Sequence, residues 1–580
     1  MKVVHLTTVD LSLRYLLLPQ LTEASRWGEV IGVSAPGPHV AELEERGIRH
    51  VPLPGSTRGF APLSDLRAAA GLWRILRQER PDVLHTHNPK PGIYGRIVGR
   101  LAGVPVVVNT VHGLYAAPDD RLTQRLPVYL LEALASRFSD VELVQNPEDL
   151  HLMRRLRIAP PRKLVLLGNG VDLERFNPEN AARHREETRR ELGVAPNEIL
   201  VGMVGRLVAE KGYPELFRAA RRLGPGYRVV VVGPDDPEKP DSLDREVISD
   251  ARAAGVVFLG MRTDVERLYG AFDVFVLPSH REGFPRAAME AAASGLPVVA
   301  TDIRGCRQVV EPGVTGLLVP VGDPGALAEA ITRLGDDPDL RASMGQAAAA
   351  KARAEFDERQ VVAKVVDTYR RVLADKGLGW MMSRPGRAEI RPGRRGDART
   401  VAELHRRGIE TGFLSSLGVR FLQRLYRFML TDPSCRVLVA ADADDQIVGF
   451  IAGTADTAGL YRRFLEGGGV TAGLAAAPRM LRPSVTRRLW ETLRYGTDRA
   501  DGPELLAMAV APGWRGQGLG KSLVDALKDW ARQEGLDRMR VVVGADNRPA
   551  IALYRQAGFG RPKPMSVHSG ERSLELTWRP

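Results

Sequence analysis

Two cysteines, Cys306 and Cys435, are all that 580 residues contain. They lie far apart in the chain and in different expected domains, so a disulfide framework is not expected. No apolar stretch approaches the roughly 18 residues that a spanning helix needs, so any membrane contact is peripheral. The opening MKVVHLTTVD reads as a short strand and a loop. It lacks the basic-then-apolar pattern of a signal peptide, and the expectation is a cytoplasmic protein. There is no internal repeat and no extended low-complexity tract.

Core material is plentiful: 44% of residues are hydrophobic and 26% charged, the composition of an ordinary globular protein. At 63.5 kDa the chain exceeds one hydrophobic core, and three or four globular units are expected. The net charge is +12. Most of the excess falls in the last third, where it suits nucleic acid, an anionic membrane or a phosphate-rich cofactor. No recognition motif accompanies the charge, so nucleic acid is not an expected partner.

The first half alternates short apolar runs with amphipathic stretches: VVHLTT, EVIGVSAP, DVLHTHN and PVVVNTVHG, each followed by a helical pattern. That rhythm predicts a parallel sheet with helices on both faces. It restarts at Ile199 with ILVGMVGRL, YRVVVVGP, DVFVLPS and PVVATD. The fold class is therefore α/β, with two Rossmann-like domains over 1–185 and 186–375. A cleft at the carboxyl ends of the strands is the expected ligand site. The stretch KGLGWMMSRPGR, rich in breakers, predicts a linker over 376–387. A third, mixed α/β domain over 388–580 starts strand–helix, continues through a long helical insertion to about Tyr495, and ends strand–helix–strand–helix–strand.

Chemistry concentrates in residues 281–320, REGFPRAAMEAAASGLPVVATDIRGCRQVVEPGVTGLLVP. Glu282 sits in a loop and Glu290 about two turns into the following helix, so both carboxylates can face one cleft. Carboxylates accept hydrogen bonds from sugar hydroxyls, and the helix N-terminus between them favours phosphate. In VGMVGRLVAEKGYPELFRAA, Arg206 and Lys211 fall in the strand-to-helix loop, where two cations can neutralise a diphosphate.

These segments resemble the Glu-x7-Glu region and the Arg/Lys loop of retaining glycosyltransferases with the GT-B architecture of two Rossmann domains, of the group 1, family 4 type. The resemblance implies that Glu290 holds the donor ribose, that Glu282 lies near the transferred sugar, and that Arg206 and Lys211 bind the diphosphate of a nucleotide-sugar, UDP-linked. It also implies that His112, after the strand in HTHNPKPGIYGRIVGRLAGVPVVVNTVHG, contacts the donor sugar as a catalytic residue. Retention without a metal, by front-face displacement, is implied in turn. Pro285 stands where the family often has glycine, and TTVDLSLRYLLLPQ replaces a loop that usually carries paired glycines. The apolar Asp10–Gln20 stretch is expected in the core. His85 and His87 are read as alternating across their strand, so that at most one points into the cleft, and Lys90 as near enough to meet an acceptor phosphate. The family assembles surface polysaccharides and lipid-linked oligosaccharides, implying a polyprenyl-linked acceptor at the inner face of the plasma membrane. A nucleotide-sugar epimerase is the alternative on this fold.

In ELLAMAVAPGWRGQGLGKSLVDALKDWARQEG, a strand runs through Arg515, Gly516, Gly518 and Gly520 directly into an amphipathic helix. Glycines there let backbone N–H groups approach a pyrophosphate. With ADNRPAIALYRQAGF downstream, the segment resembles the GNAT N-acetyltransferases, implying acetyl-CoA as co-substrate. The resemblance assigns Tyr554 as the general acid for the leaving thiolate, Val510 as a backbone partner of the pantetheine or thioester, and Asn547 to the cofactor site. Glu504, at the strand start, is the expected general base. Arg420, Arg424, Arg427, Arg462, Arg463, Arg487 and Arg488 lie in the predicted insertion, where an amino-sugar acceptor with phosphates is expected. The whole is expected to be a bifunctional enzyme of surface-glycan assembly. The alternatives are a GNAT domain that only binds the acceptor, or one that acetylates protein amines.

Overall fold

The computed structural model describes all residues except 58, 60, 88, 119, 238, 240, 410–412, 470–501 and 566–571. The chain divides into two compact units, Met1–Tyr369 and Arg370–Pro580.

The first unit contains two parallel sheets. One is formed by β1 (Lys2–Val9), β2 (Glu29–Ala35), β3 (Arg49–Pro52), β4 (Val83–His87), β5 (Val106–Val111), β6 (Val141–Val144) and β7 (Leu164–Leu166). Their order is 3-2-1-4-5-6-7. The other comprises β8 (Ile199–Val204), β9 (Tyr227–Val232), β10 (Val257–Phe258), β11 (Val274–Leu277), β12 (Val298–Thr301) and β13 (Gly316–Val319), ordered 10-9-8-11-12-13. Strands such as β5 and β11 are buried along their whole length, the near-continuous apolar pattern of a sheet covered on both faces. In each sheet the order reverses once, between β1 and β4 and between β8 and β11. Those reversals are topological switch points, where crossovers leave to opposite faces and a crevice opens at the strand ends.

The Asp10–Gln20 stretch packs inward as expected: Leu13, Leu17, Leu18 and Leu21 join one core cluster. Arg14 reaches Glu42 at 2.5 Å. Beneath the first sheet lies a fully buried polar network. Arg96 pairs with Glu132 at 2.5 Å and with Glu142 at 2.9 Å, and Asn109 and Ser139 donate to the same Glu142 carboxylate.

The second unit has one mixed sheet: β14 (Glu389–Pro392), β15 (Cys435–Ala441), β16 (Ile447–Thr454), β17 (Glu504–Val510), β18 (Met539–Gly544), β19 (Lys563–Met565) and β20 (Ser573–Trp578). The order is 14-15-16-17-18-20-19. Two expectations are corrected here. The region expected as a helical insertion contributes β15 and β16, an antiparallel hairpin closed at Asp445, whose φ of 55° is left-handed. Its alternation was hidden because β16 is buried at every position and reads as an unpatterned apolar run. The stretch 376–387 is no free linker: Trp380 and Met382 are buried, and Ser383 donates to Asp442 and accepts from Trp514. Arg487 and Arg488 lie outside the described residues.

Removing Arg96 would leave two buried carboxylates uncompensated. Arg96→Met should therefore lower unfolding stability by about 3–5 kcal/mol, measured by denaturant titration of the full chain.

Candidate functional sites

In the first unit, the loops after β8 and β11 meet at the second sheet's switch point. Gly212 has a φ of 79° and a Cβ there would strike the Pro278 carbonyl, so glycine lets the two loops touch. This contact brings Lys211 Nζ to 2.5 Å from Glu282 Oε1, which also accepts from Ser279 at 2.8 Å. Arg206 is anchored by Asp236 at 2.5 Å. The helix Arg286–Ala293 begins after Pro285 and carries Glu290, which accepts from the Tyr269 hydroxyl at 3.0 Å. Arg286 stands between Glu290 at 3.8 Å and Glu358 at 3.9 Å. Burial raises the Glu290 carboxyl above its ordinary value, against the pull of Arg286 and Tyr269. Glu358 is raised for the same reason. Arg206, Lys211, Glu282 and Glu290 thus all lie at the loops and helix that open from this switch point.

The facing wall comes from the first sheet. A Cβ on Gly283 would lie 1.9 Å from the His112 carbonyl oxygen, so the loop carrying Glu282 touches the turn after β5 backbone to backbone. Asn146 donates to the Gly283 carbonyl at 2.9 Å and Asn169 to the Phe284 carbonyl at 3.1 Å. Arg304 pairs with buried Asp149 at 2.8 Å. Sequence reasoning passed over these asparagines. Asn146 is visible there only as a helix cap before Pro147, a role it also plays through Glu148 N–H.

His112 is reached differently from what was expected. Its Nδ1 lies 3.2 Å from Gln145 Oε1 and its Nε2 3.1 Å from His87 Nδ1, so both ring nitrogens are held by the protein. His85 and His87 share one face, two residues apart on one strand, rather than alternating. Their rings are 4.1 Å apart and both are buried. His5 lies 3.1 Å from His87. Tyr369, on the helix Glu358–Asp375, meets His85 at 2.6 Å and His5 at 3.3 Å. Lys90 is paired with Asp65 and donates to the carbonyls of Thr57 and Gly59. Desolvation lowers every one of these imidazoles: His5 to about 3, His112 to about 4, and His85 and His87 well below the usual histidine range.

In the second unit, β17 and β18 run parallel yet pair only at Glu504–Arg540 and Leu505–Val541. The pairing of β17 with β16 is irregular between Leu505 and Ala507, a bulge at Leu506. Beyond that point β17 runs on to Val510 without a ladder partner on the β18 side, leaving backbone groups open to a ligand. Arg515 Nε donates to the Val510 carbonyl at 3.1 Å. Gly516 and Gly518, at φ of 78° and 83°, turn the chain into the helix Leu519–Gln533, where Gly520 faces Leu553. Asn547 caps the helix Arg548–Gln556 by accepting from the Ala550 N–H. Tyr554 on that helix is buried against Phe559. Burial raises its phenol. Glu504, where β17 and β18 still pair, is buried, held by Arg540 at 2.9 Å and raised by burial.

The family "Glycosyl transferase 4-like domain" matches residues 21–170, "Glycosyl transferases group 1" residues 184–351, and "Acetyltransferase (GNAT) family" residues 409–559. An Escherichia coli UDP-Gal:alpha-D-GlcNAc-diphosphoundecaprenol alpha-1,3-galactosyltransferase is 33% identical over 52% of this chain and 79% of its own length. The chain belongs to the group 1 glycosyl transferases and carries a GNAT acetyltransferase domain. The capsular polysaccharide glycosyltransferase CapM of Staphylococcus aureus is 27% identical over 64% of this chain and 98% of its own. Among solved structures, sucrose-phosphate synthase from Thermosynechococcus elongatus has a TM-score of 0.56 at 23% identity, covering 65% of this chain and 100% of its own. Anabaena HepE in complex with UDP has a TM-score of 0.54 at 24% identity, covering 64% and 100%. These likenesses carry the GT-B fold of this group 1 transferase.

His5, His85, His87 and His112 are folded in as neutral rings, because burial lowers all four. A group whose folded value is depressed contributes stability above its unfolded value, about 6.5, that is lost as pH falls toward the folded value. Calorimetry should show the melting temperature dropping steadily from pH 7 down to about 4, the value His112 reaches.

Proposed function

We propose that the first unit transfers a sugar, with retention, from a UDP-sugar to a polyprenyl-diphosphate-linked glycan, and that the second acetylates an amino sugar from acetyl-CoA. The domains are 1–185, 186–375 and 388–580. The observation that carries the transferase reading is the Lys211–Glu282 pair at the switch point, with Arg206 and Glu290 opening from the same place.

In this reading Lys211 and Arg206 take the diphosphate, and their charge stabilises UDP as the glycosidic bond breaks. Glu290 accepts from ribose hydroxyls. Glu282, shared with Lys211, accepts from the transferred sugar, and His112 shapes the opposite wall. The leaving phosphate takes the acceptor hydroxyl's proton on the same face, which preserves the anomeric configuration. Similarity to the Escherichia coli UDP-Gal:alpha-D-GlcNAc-diphosphoundecaprenol alpha-1,3-galactosyltransferase and to a Campylobacter jejuni N,N'-diacetylbacillosaminyl-diphospho-undecaprenol alpha-1,3-N-acetylgalactosaminyltransferase supports the donor and acceptor class.

A surface of the first unit supports a membrane-borne acceptor. The helices Pro62–Glu79, Pro89–Leu101 and Leu122–Ser136 pack side by side. They expose Leu63, Leu66, Trp73, Leu101, Leu126 and Leu130 to solvent, bordered by exposed Arg67, Arg74, Arg77, Arg121 and Arg137. Apolar side chains among arginines fit an anionic bilayer surface. No helix among the described residues is long and apolar enough to cross a membrane.

In the second unit the amine lone pair attacks the thioester carbonyl and the C–S bond breaks. Tyr554 gives its proton to the departing thiolate, Glu504 takes the proton from the amine, and transfer of that proton from Glu504 back to Tyr554 through solvent restores both groups. Val510 offers backbone groups to the pantetheine, while Arg515, Gly516, Gly518, Gly520 and Asn547 frame the pyrophosphate.

Mass spectrometry of products from UDP-sugars, UDP-amino-sugars, acetyl-CoA and a polyprenyl-diphosphate sugar tests both halves. Glu290→Gln should lower acceptor-dependent UDP release about 100-fold, the loss of a charged hydrogen bond. Tyr554→Phe should lower acetylation by about the same factor. UDP release without acetylation of any amino sugar would reduce the second unit to a binding module. Interconversion of UDP-sugars without transfer would make the first unit an epimerase.

Sedimentation with phosphatidylglycerol vesicles should capture the protein, and phosphatidylcholine vesicles should not. The Leu126→Glu, Leu130→Glu double variant should lose that capture while retaining its fold by circular dichroism.

A further inference from the structure

Four histidines of the first unit, His5, His85, His87 and His112, lie on one unbroken path. Gln145 Oε1 is 3.2 Å from His112 Nδ1, and His112 Nε2 is 3.1 Å from His87 Nδ1. His87 Nε2 is 3.1 Å from His5 Nδ1, and His5 Nε2 is 3.3 Å from the Tyr369 hydroxyl. That hydroxyl is 2.6 Å from His85 Nδ1, and His85 Nε2 is 2.7 Å from Thr110 Oγ1. Every ring nitrogen is used once. The path crosses the switch point between β1 and β4, since His5 is the register partner of His85 and His87 that of Thr110.

A neutral imidazole has one N–H and one lone pair, so such a chain has two consistent polarities. In one, every Nδ1 carries the proton: Thr110 donates to His85, His85 to Tyr369, Tyr369 to His5, His5 to His87, His87 to His112, and His112 to Gln145. Six donors then meet six acceptors. In the other, every Nε2 carries the proton and the Thr110 hydroxyl hydrogen is left over in a buried site, without an acceptor among the described residues. An unpaired buried donor costs about 1–3 kcal/mol, which selects the first polarity.

We infer that His87, His5, Tyr369, His85 and Thr110 are a positioning relay that holds His112 as a neutral imidazole protonated at Nδ1. This rests on the reading of the first unit as a glycosyltransferase. A second proton on any of the four rings sets two donors facing each other, so the chain resists charge wherever a proton lands. Desolvation acts in the same direction. A sugar leaving its diphosphate develops positive charge at its ring, and an imidazolium beside it would oppose that charge. The relay keeps the wall uncharged at His112 without removing a polar ring from it.

Charged groups on the segments that meet the His112 turn are already committed. Glu282, across the Gly283 contact, is held by Lys211. Arg281 is bound to the Tyr115 carbonyl and Asp120. Arg304 is paired with Asp149, whose carboxylate also accepts from the Leu114 N–H.

Histidine-selective 15N NMR of the full chain reads the tautomers without any donor. The expected result is four neutral Nδ1–H imidazoles between about pH 6 and 8. In Tyr369→Phe and Thr110→Val, which each delete one donor at nearly constant volume, Nε2–H forms should appear. Sugar-transfer kcat should fall about tenfold while the donor KM changes less than twofold, as expected for a group that acts through another. His112 found protonated or as the Nε2–H tautomer in the unaltered chain would overturn the relay. So would wild-type tautomers and kcat in both folded variants, or a stoichiometric divalent metal whose removal is needed to reveal the Nδ1–H signals. Tautomers as expected with no sugar transfer from any donor would keep the relay and overturn the transferase reading.

Discussion

The first unit depends on one backbone approach. Gly283 lies so close to His112 and Gly113 that any side chain there would overlap the His112 carbonyl. This contact joins a loop of the second sheet to a strand end of the first. Asn146 and Asn169 fasten it by donating to the carbonyls of Gly283 and Phe284. Because the loop continues directly into Glu282 on one side and the Glu290 helix on the other, its position fixes both carboxylates. Lys211 then finds Glu282 across the second switch point, and the His112 turn forms the opposing wall.

Much of this was legible in the sequence because parallel strands announce themselves. Runs such as VVVNTV and DVFVL are apolar throughout, as strands covered on both faces must be, and the polar residues that end them fall at the crevice. The spacing of Glu282 and Glu290 placed both carboxylates on one cleft, and the family resemblance added Lys211 to them. What could not be read was contact across long separations. Tyr369 reaches His85 from a helix 284 residues downstream, and nothing in its own surroundings marks it as more than a core aromatic. His85 and His87 were misjudged by a simpler fault, since residues two apart on a strand share a face.

In the second unit the glycine loop and Tyr554 were legible, and the hairpin of β15 and β16 was not. A strand buried at all eight positions, as β16 is, carries no alternation and looks like a buried helix in sequence. The parting of β17 from β18 was equally hidden. It is a property of register, two paired positions and no more, and register is set by the bulge at Leu506 and by neighbouring strands. That parting leaves β17 without a ladder partner on the β18 side up to Val510, directly before the glycine loop.

The proposed transferase stands or falls on whether the crevice of the first unit binds a nucleoside diphosphate through Arg206 and Lys211. Calorimetric titration of UDP into the full chain, beside an Arg206→Ala, Lys211→Ala double variant of unchanged melting temperature, decides it. Saturable 1:1 binding to the natural chain and a loss of about 100-fold or more in the variant, roughly 2.7 kcal/mol, are expected. UDP binding of equal affinity in both proteins would rule that crevice out as the site.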